Sequence, residues 1–183
     1  MSRKPRKELT IAEVIVRRKN KLATREGYRS LFWRVVFIAA FAYVFFTQVF
    51  LVTQASGTDM FPAVKDGDLV IGYRLQQDYS RDDIVVFTLD GEQRIGRIVA
   101  AQSDYVEINE QGTMLVNGSM QSGEILYPTY PKEGLEFPYT VPKGTAFILC
   151  DYRTRAEDSR DYGPVPMEDV EAKVITILRR RGL

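Results

Sequence analysis

Residues 57–70, GTDMFPAVKDGDLV, hold the side chains whose types and spacing could do chemistry. The members of interest are Asp59, Met60, Phe61, Pro62, Gly67 and Asp68. A carboxylate cannot attack a peptide carbonyl as an activated alkoxide does. It can share a proton with a second carboxylate and activate water, or it can pair with a lysine or an N-terminal amine of a bound chain. Asp59 is therefore a candidate recognition group, with Met60 and Phe61 either as its apolar neighbours or as ordinary core residues.

Other chemistries have little support in the sequence. The carboxylates that could form an acid pair with Asp59 are Asp68, Asp151 and Asp158, and spacing alone brings none of them within its reach. Ser56 and Ser159 are hydroxyl candidates without an identifiable base. The chain has no His and one Cys, so the common metal ligands are scarce and no disulfide can form within it. We predict no metal and no cofactor, and we expect Cys150 to be a buried small side chain rather than an intermolecular link.

The elements that must position these residues begin with a membrane anchor. The run VVFIAAFAYVFFTQVFLV at 35–52 carries no charge and is about long enough to cross a bilayer as a helix. Residues 1–34 hold eleven Lys or Arg and three Asp or Glu, although the whole chain has a net charge of only +1. This asymmetry predicts a cytoplasmic N-terminus and an outer C-terminal part, with lipid rather than nucleic acid as the partner of the basic arm.

The sequence predicts three parts and a β-rich body. They are a cytoplasmic basic arm with a helix (1–30), a transmembrane helix (31–53) and an extracytoplasmic β domain (54–183). Thr10-Ile11-Ala12-Glu13 has the pattern of a helix capping box. Short apolar runs separated by turn dipeptides predict strands at 69–73, 84–88, 97–100, 105–108 and 146–149. A loop is expected at 128–142, and a short helical turn is expected near Met167–Asp169.

Several segments resemble the type I signal peptidases, in the order that this family has them. Residues 57–70 are similar to its nucleophile box, G-x-S-M-x-P-T-L-x-x-G-D-x-V. The further matches are RDDIVVF at 81–87, RIVA at 97–100, LVNG at 115–118, VPKG at 141–144, FILCDYR at 147–153 and DSRDYGPV at 158–165. The resemblance implies a mainly β fold, a signal-peptidase-I-like antiparallel sheet domain behind one N-terminal transmembrane helix.

The departures from the family pattern fall on its reactive groups. These peptidases resemble one another in using a Ser nucleophile with a Lys general base. Asp59 stands at the Ser, Gly96 at the Lys, and Ala156 at the Ser that orients the base. The resemblance therefore implies no Ser/Lys catalysis, and we expect no enzyme activity. It implies a peptide-binding cleft lined by Asp59, Met60, Phe61 and Pro62. It also implies a retained structural set: Gly67, Asp68, Arg97, Asp151, Arg153, Asp158, Ser159, Arg160 and Gly163, with a carboxylate–guanidinium pair between Asp158 and Arg160.

This combination is similar to the SipA-type signal-peptidase-like proteins of Gram-positive pilus loci. The resemblance implies a chaperone or accessory factor for sortase-dependent pilin polymerisation, with a pilin precursor, a sortase or both as partners. Two other readings stay open. One is an unconventional signal peptidase that processes a dedicated surface protein, and the other is an inactive subunit of a hetero-oligomeric signal peptidase.

Overall fold

The structure is a computed structural model, and it describes residues 10–76, 78–121 and 126–179. The chain divides into two compact units, residues 1–46 and 47–183. Helix α1 runs from Ile11 to Val49. Its first turn is fixed at Thr10, whose carbonyl accepts the N–H of Val14 at 3.1 Å and whose own N–H donates to Glu13 at 2.9 Å. The helix start predicted from the capping pattern is confirmed.

Helix α1 is continuous across the boundary predicted at residues 30 and 31. Its 39 residues give a length of about 58 Å, more than a bilayer core requires. Among the described residues it is the one helix long and apolar enough to cross a membrane, judged by length and composition. Residues 1–9 of the predicted arm lie outside the described residues.

The C-terminal bound predicted for the apolar helix is wrong. The helix ends at Val49, and Phe50–Gln54 forms a strand, β1, rather than the end of a span. It pairs antiparallel with Leu69–Tyr73, β2, from Phe50↔Tyr73 to Gln54↔Leu69. Aromatic and β-branched residues favour strands when a partner is present, so composition alone did not separate the end of the helix from the first strand.

Two antiparallel sheets make up the second unit. The remaining strands are β3 (Ile84–Leu89), β4 (Glu92–Ala101), β5 (Tyr105–Ile108), β6 (Met114–Val116), β7 (Ser119–Met120), β8 (Tyr139–Thr140), β9 (Thr145–Leu149), β10 (Val165–Pro166) and β11 (Val170–Leu178). The larger sheet has the order β1-β2-β11-β3-β4-β9-β10, and the smaller has the order β7-β6-β5-β8. The mainly β, antiparallel class predicted from the sequence is confirmed, as are the five predicted strands.

Turns and short helices connect these strands. Asn117 and Gly118 both have positive φ, 53° and 75°, in the two-residue turn between β6 and β7, as this dipeptide predicts for a tight hairpin. A 3₁₀ helix occupies Met167–Asp169, as expected. One helix was not predicted: α2, Ser159–Tyr162, begins directly after Asp158.

The larger sheet is packed on both faces. One face holds the cluster of Leu51, Met60, Val64, Val70, Val86, Cys150, Ala156 and Ala172. The opposite face holds Val85, Phe87, Ile98, Ala146, Ile148 and Val165. Because neighbouring residues of a strand point to opposite faces, a shift of one residue on β4 decides which of these clusters a side chain enters.

Candidate functional site at the Asp59 cleft

A cleft of about 430 Å³ opens beside the first cluster, on the second unit of the chain. One wall is the end of β1 with the residues that follow it, and the facing wall is the beginning of β4. The lining residues are Thr53, Gln54, Ala55, Ser56, Gly57, Asp59, Met60, Val64, Phe87, Glu92, Gln93, Arg94, Ile95, Cys150, Arg155, Glu157 and Tyr162. The size is that of a pocket for one or two side chains of a ligand.

Asp59 lies at the exposed part of this cleft. Its backbone carbonyl accepts the N–H of Tyr152 at 2.8 Å, which joins the loop after β1 to the segment after β9. Its carboxylate has no hydrogen-bond or ion-pair partner among residues 10–76, 78–121 and 126–179. The main chain of Asp59 is therefore held in place while its charge is available to a ligand.

The floor of the cleft is apolar. Met60 and Cys150 are each 5% exposed and Val64 is 2% exposed, with Ile95 packed against them. Met60 thus belongs to the core as well as to the cleft. Phe61 and Pro62, which the sequence also assigned to the cleft, do not line it. Phe61 instead lies half-buried beside Tyr152, with the ring centroids 6.5 Å apart.

Cys150 is buried, as the sequence indicated. Its Sγ lies 3.6 Å from the carbonyl of Glu157 and 3.9 Å from that of Ile95. Burial is the main cause that raises the pKa of this thiol above its ordinary value, and the negative charges of Asp158, Asp59 and Asp151 raise it further. The thiol therefore stays protonated at neutral pH and acts as a small apolar group in the floor.

Gly96 does not line the cleft. It is paired with Val85 of β3 and faces the opposite cluster. A Cβ placed on Gly96 would lie 2.4 Å from Ile148 Cγ2 and 3.2 Å from Phe87 Cε1. The side chain of β4 that faces the cleft at this level is that of Ile95. The resemblance assigned the base position to Gly96; strand alternation assigns the cleft-facing place to the residue before it.

Ala156 is 1% exposed and packs in the same cluster as Met60 and Cys150. Its carbonyl accepts a hydrogen bond from Lys132 Nζ at 2.7 Å, and the same ammonium contacts Asp161 at 2.6 Å. Lys132 is thereby held by two acceptors and does not line the cleft.

The three carboxylates considered as partners of Asp59 also lie away from the cleft lining. Asp68 is 2% exposed and accepts the N–H of Lys65 at 3.0 Å. Asp151 accepts two hydrogen bonds from Arg97, at 2.8 and 2.6 Å. The structure therefore does not bring these predicted partners together with Asp59.

Asp158 and Arg160 form the ion pair expected from the sequence. Asp158 is 0% and Arg160 1% exposed, and two guanidinium nitrogens lie 2.8 and 2.7 Å from the two carboxylate oxygens. The remaining donors of Arg160 reach the carbonyls of Tyr130 and Arg153. Asp158 also caps α2, because its side chain accepts the N–H of Arg160 and its own N–H donates to Asp161.

Other predicted motif residues fix turns and strands around this pair. Ser159 is 0% exposed, and its Oγ accepts the N–H of Ile148 at 3.0 Å, so this hydroxyl is structural. Gly67 and Gly163 have φ of 84° and 88°, in the left-handed region that favours glycine. The N–H of Gly67 donates to the carbonyl of Ala55 at 2.9 Å, which closes the loop that carries Asp59.

Arg153 differs from Arg160, the other arginine that is buried among the described residues. It is 1% exposed, and its Nη1 donates to Thr129 Oγ1 at 3.0 Å. Its Nε and Nη2 are buried without a hydrogen-bond partner among the described residues. Burial lowers the pKa of this guanidinium to about 10, and the nearby carboxylates of Asp151 and Asp158 only partly oppose that shift.

The sequence reasoning missed the polar residues on the far wall of the cleft. Arg94 lies between two carboxylates, with 3.7 Å to Glu92 and 3.7 Å to Glu157, and over the ring of Tyr162 at 5.8 Å. The Tyr162 hydroxyl is buried without a partner in the described part of the chain, and burial is the main cause that raises its pKa. The sequence held one signal for this wall: the Asp90-Gly91 turn, after which β4 pairs antiparallel with β3.

Comparison with known proteins adds the family. A model described as "Signal peptidase, peptidase S26" matches residues 28–178. Thylakoidal processing peptidase 1 of Arabidopsis thaliana is 30% identical over 136 residues, which are 64% of this chain and 38% of that protein. Signal peptidase IB of Staphylococcus aureus is 28% identical over 165 residues, 78% of this chain and 85% of that protein.

A solved structure is also similar, that of a signal peptidase I from Enterococcus faecalis V583. Its identity is 27% and its TM-score 0.46, with 55% of this chain and 98% of that chain covered. This chain spans less than half the length of the thylakoidal relatives that it matches. The family match, however, reaches from α1 to the end of β11. The chain thus belongs to the signal peptidase family, peptidase S26.

Proposed function

We propose that this protein is a non-catalytic, membrane-anchored member of its family that binds an extended peptide in the Asp59 cleft without cutting it. In cells it acts as a chaperone or accessory factor in sortase-dependent pilus assembly, with a pilin precursor, the pilin-polymerising sortase or both as partners. The observation that carries this proposal is the cleft lining, which includes Asp59 and holds no lysine among the described residues. The motif resemblance is what assigns the nucleophile position to Asp59.

The cleft supports loss of the reaction whether Gly96 or Ile95 is taken as the position of the base. Neither Ile95, which faces the cleft, nor Gly96, which faces the opposite cluster, can accept a proton. Ala156 has no hydroxyl. A serine introduced at position 59 alone would therefore have no lysine within the described lining to activate it as the family's general base does.

The walls of the cleft favour an extended ligand. Strand β4 pairs with β3 from Glu92 to Arg97, but among the described strands β9 pairs with β4 only from Arg97 onward. The edge of β4 before Arg97 therefore faces the cleft without a strand partner. The carbonyl of Ile95 on this edge contacts the thiol of Cys150, at 3.9 Å. A peptide can add to such an edge by main-chain hydrogen bonds.

The apolar helix would anchor the second unit to the membrane on its outer side. Helix α1 ends at Val49 and β1 begins at the next residue, so no linker separates the apolar helix from the first strand. The excess of Lys and Arg before the apolar run favours a cytoplasmic N-terminus. With that orientation the second unit meets secreted precursors as they leave the membrane.

The test is complementation of cells that lack this gene. The wild-type chain and Asp59→Ala are supplied, polymerised pilin is followed on gels, and signal-peptide cleavage of pilin is followed by N-terminal sequencing. We expect polymerisation to require the gene and cleavage to proceed without it. If cleavage is lost with the gene and Asp59→Ala does not restore it, the protein is an unconventional peptidase. Co-purification with an intact homologue and loss of cleavage with either gene would instead identify an inactive subunit.

A further inference from the structure

We propose that the cleft recognises a basic side chain of the bound peptide, with the ammonium or guanidinium group on Asp59 and the aliphatic part on the apolar floor. This inference rests on the proposed function, because it names the class of peptide that the same cleft binds. A cleft of this kind would differ in its ligand from one that selects small neutral side chains.

The charges of the cleft are the first support. Its lining holds three carboxylates, those of Asp59, Glu92 and Glu157, and two guanidinium groups, those of Arg94 and Arg155. Arg94 is shared by Glu92 and Glu157 at 3.7 Å each. The described lining therefore has one more negative than positive charge, and a basic ligand group would balance it.

Asp59 is the carboxylate that this arrangement leaves without a partner. Arg155 lies over the ring of Tyr152, 5.7 Å from its centroid, and makes no ion pair within 4 Å with Asp59. Glu92 and Glu157 already face Arg94. A ligand cation on Asp59 would thus form a new pair without breaking one that exists.

The floor next to Asp59 suits the stem of a long basic side chain. Met60, Val64, Ile95 and Cys150 present apolar surface directly beside the carboxylate. Lysine and arginine side chains bury their methylene groups against such surface while the charged group stays at a polar edge. A short neutral side chain would leave the carboxylate unpaired, and an acidic side chain would be repelled by it.

The free edge of β4 fixes which ligand side chains enter the cleft. A strand added along residues 92–96 alternates its side chains between two faces. Every second side chain of the peptide then points toward the floor at Ile95. One basic residue among neutral neighbours is enough to meet Asp59, and a shift of one position would turn it away.

The experiment measures peptide binding to the full chain in detergent micelles by isothermal titration. The probes are short acetylated and amidated peptides of alternating Thr and Val, identical except for one central residue: Lys, Arg, norleucine or Glu. We expect the Lys and Arg peptides to bind about threefold to fivefold more tightly than the norleucine peptide, since an ion pair at an exposed carboxylate is a weak but measurable contact. Higher salt should reduce this difference.

Two variants locate the effect. Asp59→Asn keeps the shape of the side chain and should make the Lys and norleucine peptides bind alike. Glu168→Gln is the matched control, because it removes one exposed carboxylate that does not line the cleft, and it should keep the preference for Lys.

The possible outcomes separate this inference from the proposed function. Equal binding of the Lys and norleucine peptides to the wild-type chain overturns the inference and leaves peptide capture intact. Absence of binding by every probe also overturns it. The proposed function fails with it only if cells without the gene still polymerise pilin normally.

Discussion

The cleft and the buried ion pair beside it share one stretch of chain, residues 150–163, and their polar groups are satisfied in opposite ways. Asp158 and Arg160 are almost fully buried and pair with each other at 2.7 and 2.8 Å. Asp59, Tyr162 and Arg153 each keep polar atoms without a partner among the described residues. The difference indicates that the paired residues hold the fold, whereas function must be sought where groups are left unpaired.

The largest loss of stability is expected when the Arg160 side chain is removed from the buried pair. Arg160→Met leaves Asp158 as an uncompensated buried charge and removes donors from two carbonyls. We expect a loss of about 3–5 kcal/mol in the free energy of unfolding, measured by denaturant unfolding of the full chain in micelles. A loss below about 1 kcal/mol would show that this pair is not the support of the C-terminal segment.

The next largest loss of stability is expected from a substitution in β4. Gly96→Ala places a methyl group 2.4 Å from Ile148 Cγ2, and such overpacking costs about 1–3 kcal/mol. Gly27→Ala is the matched control, since nothing lies within 4 Å of that site in α1, and it should stabilise the chain slightly. Thermal melting of both variants tests whether position 96 faces the core; equal stability would place it in open space.

Arg153 tests whether a buried charge without an ion pair contributes less to stability than a paired one. Arg153→Met removes a buried cation that has no ion pair within 4 Å among the described residues, so we expect a change within about 1 kcal/mol, far less than for Arg160→Met. A buried charge of this kind is often replaced by an apolar group at no cost. The same unfolding measurement compares the two variants, and a loss equal to that of Arg160→Met would contradict the distinction.

The pH dependence of Arg153 has a definite sign. Burial lowers its pKa in the folded chain to about 10, below that of a solvated guanidinium, so the unfolded chain binds more protons above that pH. The stability of the wild-type chain should therefore rise relative to Arg153→Met as the pH increases above about 10. Melting curves of both chains from pH 8 to pH 11 check this. If the melting temperatures of the two chains change in parallel with pH, the nearby carboxylates offset the effect of burial on Arg153.

The smallest expected effect is that of Asp59→Asn on stability. Its carboxylate is exposed and makes no hydrogen bond in the described part of the chain, so the change should be within about 0.5 kcal/mol. Thermal melting measures it. A large loss would mean that Asp59 belongs to the buried network rather than to a ligand site.

The sequence predicted the scaffold better than the cleft. The pair of Asp158 and Arg160 and the turns at Gly67 and Gly163 were predictable because a short motif fixes both the residues and their local geometry. The end of α1 was not predictable, since the apolar residues at 50–52 suit a helix and a strand alike. Pairing with β2, at a distance in sequence, decides between them.

The sequence also did not predict which face of the sheet each residue of β4 occupies. An aligned motif says which residue is Gly96, but only the pairing with Val85 and the irregularity between β4 and β9 say where it points. The same holds for Glu92, Arg94 and Glu157, which come from separate segments. Their place in the same cleft as Asp59 depends on the order of strands in the sheet rather than on any local pattern.

The central claim is that the cleft binds a precursor peptide and does not cut it. The most direct measurement is mass spectrometry of a pilin precursor peptide, spanning its signal-peptide junction, after incubation with the purified full chain in micelles. We predict that the peptide is retained by the wild-type chain and recovered intact, with Asp59→Ala giving the same intact mass. Cleavage at one bond by the wild-type chain, abolished in Asp59→Ala, would contradict the account.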